Sequence, residues 1–373
     1  MKWFKRFVYT LIVIVIAAAG VYGYFLYLSY AAKKQLAGAR QYYEKGDIAN
    51  AVSILESLYS KRAGTRQGRE SLYLLCKCYT NTDQLKKAEE YWMTLLDVDK
   101  ITYGAECLFY LAGIAEQTGR PDLAEKYYKE IVKGHPNSGL SDDALFNLGY
   151  LYKEKGELIE AQKQWRDIIE QFPDSNLIST AEQELGDVNI ELLFSGTMEN
   201  GTELYTVQKG DALAIIARRF GTTVELIKKC NNLKSDFIKP GEQLKVIAAK
   251  FAIIIDKSRN TLILKAGEKA VKSYRVGTGV SGSTPVGSFT IVNKLVNPPW
   301  HKAGKGVIPY GDPENVLGTR WMGLSLGGYG IHGTWEPETI GQQASAGCVR
   351  LVNKNIEELY QIVPVGTEVI IME

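Results

Sequence analysis

Residues 331–350 read IHGTWEPETIGQQASAGCVR, and the rest of the chain is interpreted outward from this stretch. His332, one of only three histidines, precedes Cys348 by sixteen residues. A thiol is a good nucleophile only as thiolate, and a neighbouring imidazole can take its proton and hold the anion as an ion pair. Gly347 permits a tight turn that leaves the amides around Cys348 free to face a developing oxyanion. Taken singly, a cysteine is commonly a small buried hydrophobe and a histidine a structural residue. Their conjunction beside glycines is what points to catalysis.

His332-Gly333 followed by Ser345-x-Gly347-Cys348-x-Arg350 resembles the signature of L,D-transpeptidase (YkuD-type) catalytic domains, which remodel peptidoglycan. The resemblance runs upstream through Gly277-Thr278-Gly279, Thr284-Pro285-Val286-Gly287, Tyr310-Gly311-Asp312-Pro313 and Gly318-Thr319-Arg320-Trp321-Met322-Gly323, so that it covers roughly residues 251–373. One departure is Ala346, where the family often carries His or Lys, which removes a polar contact that bears on substrate detail. The resemblance implies Cys348 as nucleophile and His332 as base toward the thiol and then acid toward the leaving amine. It further implies a Gly333 carbonyl orienting the imidazole, and an oxyanion held by amides near Gly347 and Cys348. Ser345 is expected as a hydrogen-bonding wall, with Trp300 and Tyr310 as further substrate contacts. Arg350 either holds a substrate carboxylate or forms a structural ion pair. His301 has no nucleophile of the family pattern beside it.

A chain of 373 residues with 45% hydrophobic and 23% charged residues has the composition of two or three globular domains. A net charge of +2 gives no basic field for nucleic acid. Five cysteines, at 76, 78, 107, 230 and 348, make no disulfide framework and no metal-ligand spacing, so neither metal nor cofactor is expected.

Phe7 to Ala32 carries no charge, and these twenty-six residues are enough to cross a bilayer, which needs about twenty. A cleaved signal peptide ending near Ala17-Ala18-Ala19 is the alternative, but the apolar run continues past it. Residues 1–34 are therefore predicted to be a single-pass transmembrane helix, its N-terminus inside and the bulk of the chain in the periplasm or outer wall space.

Residues 35–195 repeat. Ala51, Ala88, Ala124 and Ala161 recur at spacings of 37, 36 and 37, each preceded five positions earlier by Gly46, Asp83, Gly119 or Gly156. Leu74, Leu111 and Leu148 keep the same period. The pattern resembles tetratricopeptide repeats, an α-helical solenoid of stacked helix pairs that offers a concave face to a protein partner. Tyr73, Trp92, Tyr127, Tyr150 and Trp165 fall at helical spacing and are predicted core.

A linker at 196–204 leads into residues 205–247, where Gly210-Asp211-Ala212-Leu213, Asn231-Asn232-Leu233 and Ile238-Lys239-Pro240-Gly241 resemble a LysM module of βααβ form. That implies peptidoglycan as partner, with N-acetylglucosamine units held by Gly210, Asp211, Ala212, Leu213, Ile238 and Lys239. A spacer without affinity is the other reading.

From residue 251 the pattern predicts a hairpin, further strands at Lys272–Val276 and Ser288–Val292, one helix at Lys354–Ile362 and a loop-like Asn297–Gly318. Together these make a mainly-β, sandwich-like catalytic domain. Three functions stay open. One is a membrane-anchored L,D-transpeptidase forming 3-3 crosslinks or attaching another amine. The second is a hydrolase that trims the stem, and the third a non-catalytic wall adaptor.

Overall fold

The structure is a computed structural model and describes residues 1–198, 201–302 and 304–373. Glu199 and Asn200 of the expected 196–204 linker, and Ala303 of the Asn297–Gly318 segment, lie outside the described residues. The chain forms two compact units, residues 1–151 and 152–373.

The first unit is helical: α1 Lys2–Glu44, α2 Ile48–Arg62, α3 Arg66–Asn81, α4 Leu85–Val98, α5 Lys100–Gln117, α6 Pro121–Gly134 and α7 Ser141–Glu154, whose last turn passes residue 151. The four alanines of the repeat are fully buried, as small residues must be where paired helices touch. Gly46, Asp83, Gly119 and Gly156 all have positive φ, so the repeated turn is a left-handed one that Asp83 adopts without being glycine. Four residues after each alanine a large side chain, Leu55, Trp92, Tyr128 or Trp165, is also buried. Trp92 and Trp165 are core as predicted. Tyr150 departs from that expectation: it sits at the surface, 36% exposed. Asp47, Thr65 and Asp99 cap α2, α3 and α5 by accepting from backbone amides.

The apolar span and the first repeat helix, expected to divide at residue 34, are one unbroken helix. α1 exposes its apolar N-terminal part and buries Ala32, Leu36 and Ala39. With no Pro or glycine turn between the two parts, nothing in the sequence interrupts the backbone ladder.

The second unit begins with α8 Leu158–Gln171 and α9 Ile178–Phe194. The LysM-like part comes next as β1 Thr202–Thr206, α10 Leu213–Phe220, α11 Val224–Cys230 and β2 Gln243–Ile247, the expected βααβ order. Gly221 closes α10 in the left-handed conformation at φ 64°. Ala212 stands at the N-cap of α10 and, having no hydroxyl, makes no side-chain cap.

The catalytic region contains β3 Phe251–Asp256, β4 Thr261–Ala266, β5 Lys269–Arg275, β6 Thr278–Gly279, β7 Gly287–Val296, β8 Trp300–Lys302, β9 Gly306–Ile308, β10 Arg320–Leu324, β11 Gly330–His332, β12 Gln343–Ser345, β13 Val349–Arg350, α12 Asn353–Ile362 and β14 Glu368–Met372. Eight strands are ordered β13-β11-β10-β7-β14-β3-β4-β5. The long β7 pairs with β14 through residues 287–290 and with β10 through residues 291–296, so one strand serves both halves of the sheet. α12 packs on β10 and buries Ile356, Leu359 and Ile362 in the common core. The Asn297–Gly318 segment is more ordered than the loop-like expectation. β8 and β9 form a hairpin, and buried Asn315 ties it down by donating to the carbonyls of Pro298, Ile308 and Pro309.

The last repeat helix and the LysM part are built into the catalytic core. α9 covers the edge strand β5, where Asp187 pairs with Lys272 at 2.7 Å and Asn189 donates to the Val271 carbonyl. Lys245 of β2 is buried and donates its ammonium to the carbonyls of Leu192, Ser195 and Thr197, in and just beyond the last turn of α9. The division between the units therefore falls within the repeats, because α9 buries its surface against the LysM part and the catalytic sheet.

Candidate active site

His332 ends β11, and Arg350 ends β13, which pairs parallel to it with Ile331 opposite Val349 and His332 opposite Arg350. Side chains paired in register point to one face, so His332 and Arg350 share a face, and Cys348 lies two residues before Arg350 in the turn that enters β13. On β11's other side, β10 places Trp321 directly opposite His332, and the two rings stack at 5.8 Å and 22°.

The imidazole is 2% exposed, and its Nδ1 lies 2.6 Å from the Gly333 carbonyl. A carbonyl only accepts, so Nδ1 carries the hydrogen and Nε2 is the basic nitrogen. Gly333 must be glycine, because a side chain there would collide with the Asn353 carboxamide, which accepts from the Thr319 amide. Burial pulls the His332 pKa down to about 4, with the Arg350 charge adding to it, against the Gly333 and Leu317 carbonyls. Burial likewise raises the Cys348 thiol, opposed by the Gly330 backbone and the Arg350 charge. Both directions favour a neutral thiol beside a neutral imidazole, and no hydrogen bond joins the two side chains among the described residues. Both shifts run against the ion pair expected from the sequence.

The turn that carries Cys348 is held from below. β12 pairs with β6, with Ser345 opposite Gly279, and the Gly279 amide donates to buried Thr284 at 2.7 Å. The Ser345 hydroxyl donates to the Cys348 carbonyl at 2.6 Å and accepts from the Gly347 amide at 3.0 Å. Gly347 has φ +133°, and a Cβ there would stand 2.8 Å from the Tyr329 ring and 3.1 Å from the Ser283 carbonyl. Two expectations change. Ser345 is buried and its hydroxyl is spent inside the turn, rather than lining an open wall. The Gly347 amide is occupied by Ser345, whereas the amide of Cys348 has no intrachain partner among the described residues.

Arg350 is 13% exposed and pairs with Glu336 at 3.1 Å, while its Nε is buried without a partner. Tyr310 lies 6.2 Å from the ring of Trp335, an exposed aromatic three residues beyond His332, whereas Trp300 packs under the ammonium of Lys302 at 4.7 Å. Trp321, Tyr329, Trp335 and Glu336 were not singled out from the sequence. Trp321 and Trp335 flank the histidine motif in the chain, and the Gly327-Gly328 turn that folds β10 back onto the strand ending at His332 was the available signal for the first.

Of the expected glycan contacts, Gly210, Ala212 and Lys239 are exposed and Ile238 is half-buried. Leu213 is core at 2% exposure, which corrects its assignment as a contact. Asp211 accepts from the Tyr205 hydroxyl and the Gln208 amide, so its carboxylate is engaged in shaping the loop. No cluster of three His, Cys, Asp or Glu side chains suited to a metal occurs among the described residues.

The L,D-transpeptidase catalytic domain family matches residues 250–371. The candidate L,D-transpeptidase YkuD of Bacillus subtilis is 32% identical over 174 residues, covering 45% of this chain and 97% of that protein. The chain belongs to the L,D-transpeptidase family. YqjB of the same organism, also named as a candidate L,D-transpeptidase, is 38% identical over 127 residues, 32% of this chain and 70% of its own. An L,D-transpeptidase structure from Mycobacterium smegmatis is 23% identical with a TM-score of 0.30, and the alignment covers 36% of this chain and 64%, just under two thirds, of that one. Ahead of its L,D-transpeptidase domain the chain carries a LysM domain at 205–246, which supports peptidoglycan binding, and tetratricopeptide repeats at 106–138 and 143–175.

Proposed function

We propose that this protein is a membrane-anchored cell-wall L,D-transpeptidase acting on the tetrapeptide stems of peptidoglycan. Cys348 attacks the carbonyl of the third residue as its proton passes to Nε2 of His332. The C–N bond to the terminal D-Ala breaks, the nitrogen takes that proton, and a thioester remains on Cys348. His332 then accepts a proton from an incoming amine, which displaces the thiol and forms the new amide. The Cys348 amide faces the oxyanion, a contribution of about 3 kcal/mol.

The observation that carries this reading is the shared face of β11 and β13, with His332 in one tautomer beside a cysteine whose own amide is free. The LysM domain supports delivery to peptidoglycan, with Gly210, Ala212, Ile238 and Lys239 as contacts. The exposed apolar stretch of α1 supports anchoring, with the later domains on the wall side. The repeats are read as the site of a protein partner.

Purified protein incubated with tetrapeptide muropeptides gives crosslinked dimers by mass spectrometry. Tripeptides alone would assign a trimming hydrolase, and no change would assign an adaptor. Turnover surviving in Cys348→Ala would rule out the nucleophile.

A further inference from the structure

The pairing of Arg350 with Glu336 combines three features that a structural ion pair does not need. The guanidinium is nearly buried, and Arg350 shares a strand face with His332 and follows Cys348 by two residues. Its Nε has no partner although buried, so the planar fork designed for two-point recognition is engaged at one point only. Its counter-ion Glu336 is 51% exposed and stands on the loop beyond β11, so the pair is weak and displaceable.

We propose that Arg350 is the subsite for the free α-carboxylate of the residue that leaves the donor stem, and that Glu336 occupies this subsite as an internal carboxylate until substrate displaces it. This rests on the transpeptidase reading above and specifies the donor side of that site.

The distances fit. Cys348 and Arg350 are two residues apart in the chain, so their Cα atoms are separated by at most about 7 Å. In a stem ending in a D-amino acid, the carboxylate carbon lies three bonds from the attacked carbonyl carbon, within about 4 Å. With sulfur at the carbonyl, the carboxylate points toward Arg350, and the nitrogen between them comes to His332, which gives it the proton. A carboxylate accepting from both Nη1 and Nη2 in place of Glu336 would engage the fork at two points. The three side chains thus address three consecutive groups of the substrate.

The test compares tetrapeptide stems ending in D-alanine with stems ending in D-alaninamide, using the full-length protein and its Arg350→Gln and Glu336→Gln variants. Wild type is expected to prefer the acid by tenfold or more in kcat/KM, the worth of a charge-assisted hydrogen bond. Arg350→Gln is expected to abolish that preference, losing rate on the acid and little on the amide. Glu336→Gln is expected to lower KM for the acid about two- to fivefold with kcat unchanged, because the competing carboxylate is gone. Equal wild-type rates on acid and amide would overturn the inference even if Arg350→Gln failed to fold, and so would equal losses on both stems in that variant. A wild type inert on the acid would instead sink the transpeptidase reading.

Discussion

Replacing Ser345 by Ala separates the two roles open to that side chain. The hydroxyl holds the Gly347 amide at 3.0 Å and the Cys348 carbonyl at 2.6 Å, and the residue is 3% exposed, so the alanine variant leaves a donor and an acceptor without a partner beneath the turn. Two lost hydrogen bonds, at about 1 kcal/mol each, and the desolvation left uncompensated give roughly 2 to 4 kcal/mol of destabilisation. For a unit of this size that is a fall in Tm of about 5 to 12 °C. The turn also sets the height of the sulfur and the direction of the Cys348 amide. A displacement near 1 Å there costs on the order of 100-fold in kcat, with KM little changed. Thermal unfolding followed by circular dichroism and steady-state kinetics on muropeptides measure both, and Ser345→Thr should restore most of each loss because it keeps the hydroxyl. A Ser345→Ala protein with wild-type Tm and an altered KM alone would refute the turn-holding role and return Ser345 to the substrate wall.

Gly347→Ala forces a side chain into φ +133° against Tyr329 and the Ser283 carbonyl, at about 1 to 3 kcal/mol of strain, and Tyr329→Ala should not rescue its activity because the backbone and carbonyl conflicts persist. With the folded His332 pKa at about 4, the acid limb of kcat/KM should lie near pH 4 rather than near 6.5, and Trp321→Ala, which admits water to the ring, should move it upward in a pH–rate profile. The same depression makes the unfolded chain take up a proton first as pH falls: stability is unaffected above about pH 6.5 and declines from there to about pH 4, by about 3 kcal/mol in all, a slope that His332→Asn should remove in denaturant titrations. Lys245→Met takes the ammonium from the Ser195 and Thr197 carbonyls just past α9 and should cost about 2 kcal/mol or more, read as a lower urea midpoint of the unit spanning residues 152–373.

Much of this was legible in the chain because it rests on short-range rules. The 36–37-residue period announced its helix pairs through alanines that had to be small and turns that had to be left-handed, and the LysM part declared itself through Gly221 and Pro240-Gly241. The glycine-flanked cysteine and its histidine marked the candidate site. What the sequence withheld depends on partners distant along the chain. Ser345 looked like a wall because only the folded turn brings its hydroxyl between two backbone groups. Leu213 looked like a contact because a loop motif does not say which of its members faces inward. Lys245 gave no sign that its ammonium would end a helix fifty residues earlier, since a lone lysine in a strand reads as solvated. The anchor and the solenoid were separated by composition, while the helix between them obeys only backbone continuity.

The buried Lys245 has a consequence for how a polymer would be handled. Because the LysM domain is pinned to α9 and shares packing with the catalytic core, its offset from the catalytic sheet is fixed, unlike that of a tethered domain. A flexible linker would raise the local concentration of every stem within reach, whereas a fixed offset would present only stems at set distances along the strand from a sugar bound by the LysM domain. Which rungs of the wall are joined would then be dictated by the spacing between two rigid sites, and loosening Lys245 would blur that choice before it slowed the chemistry.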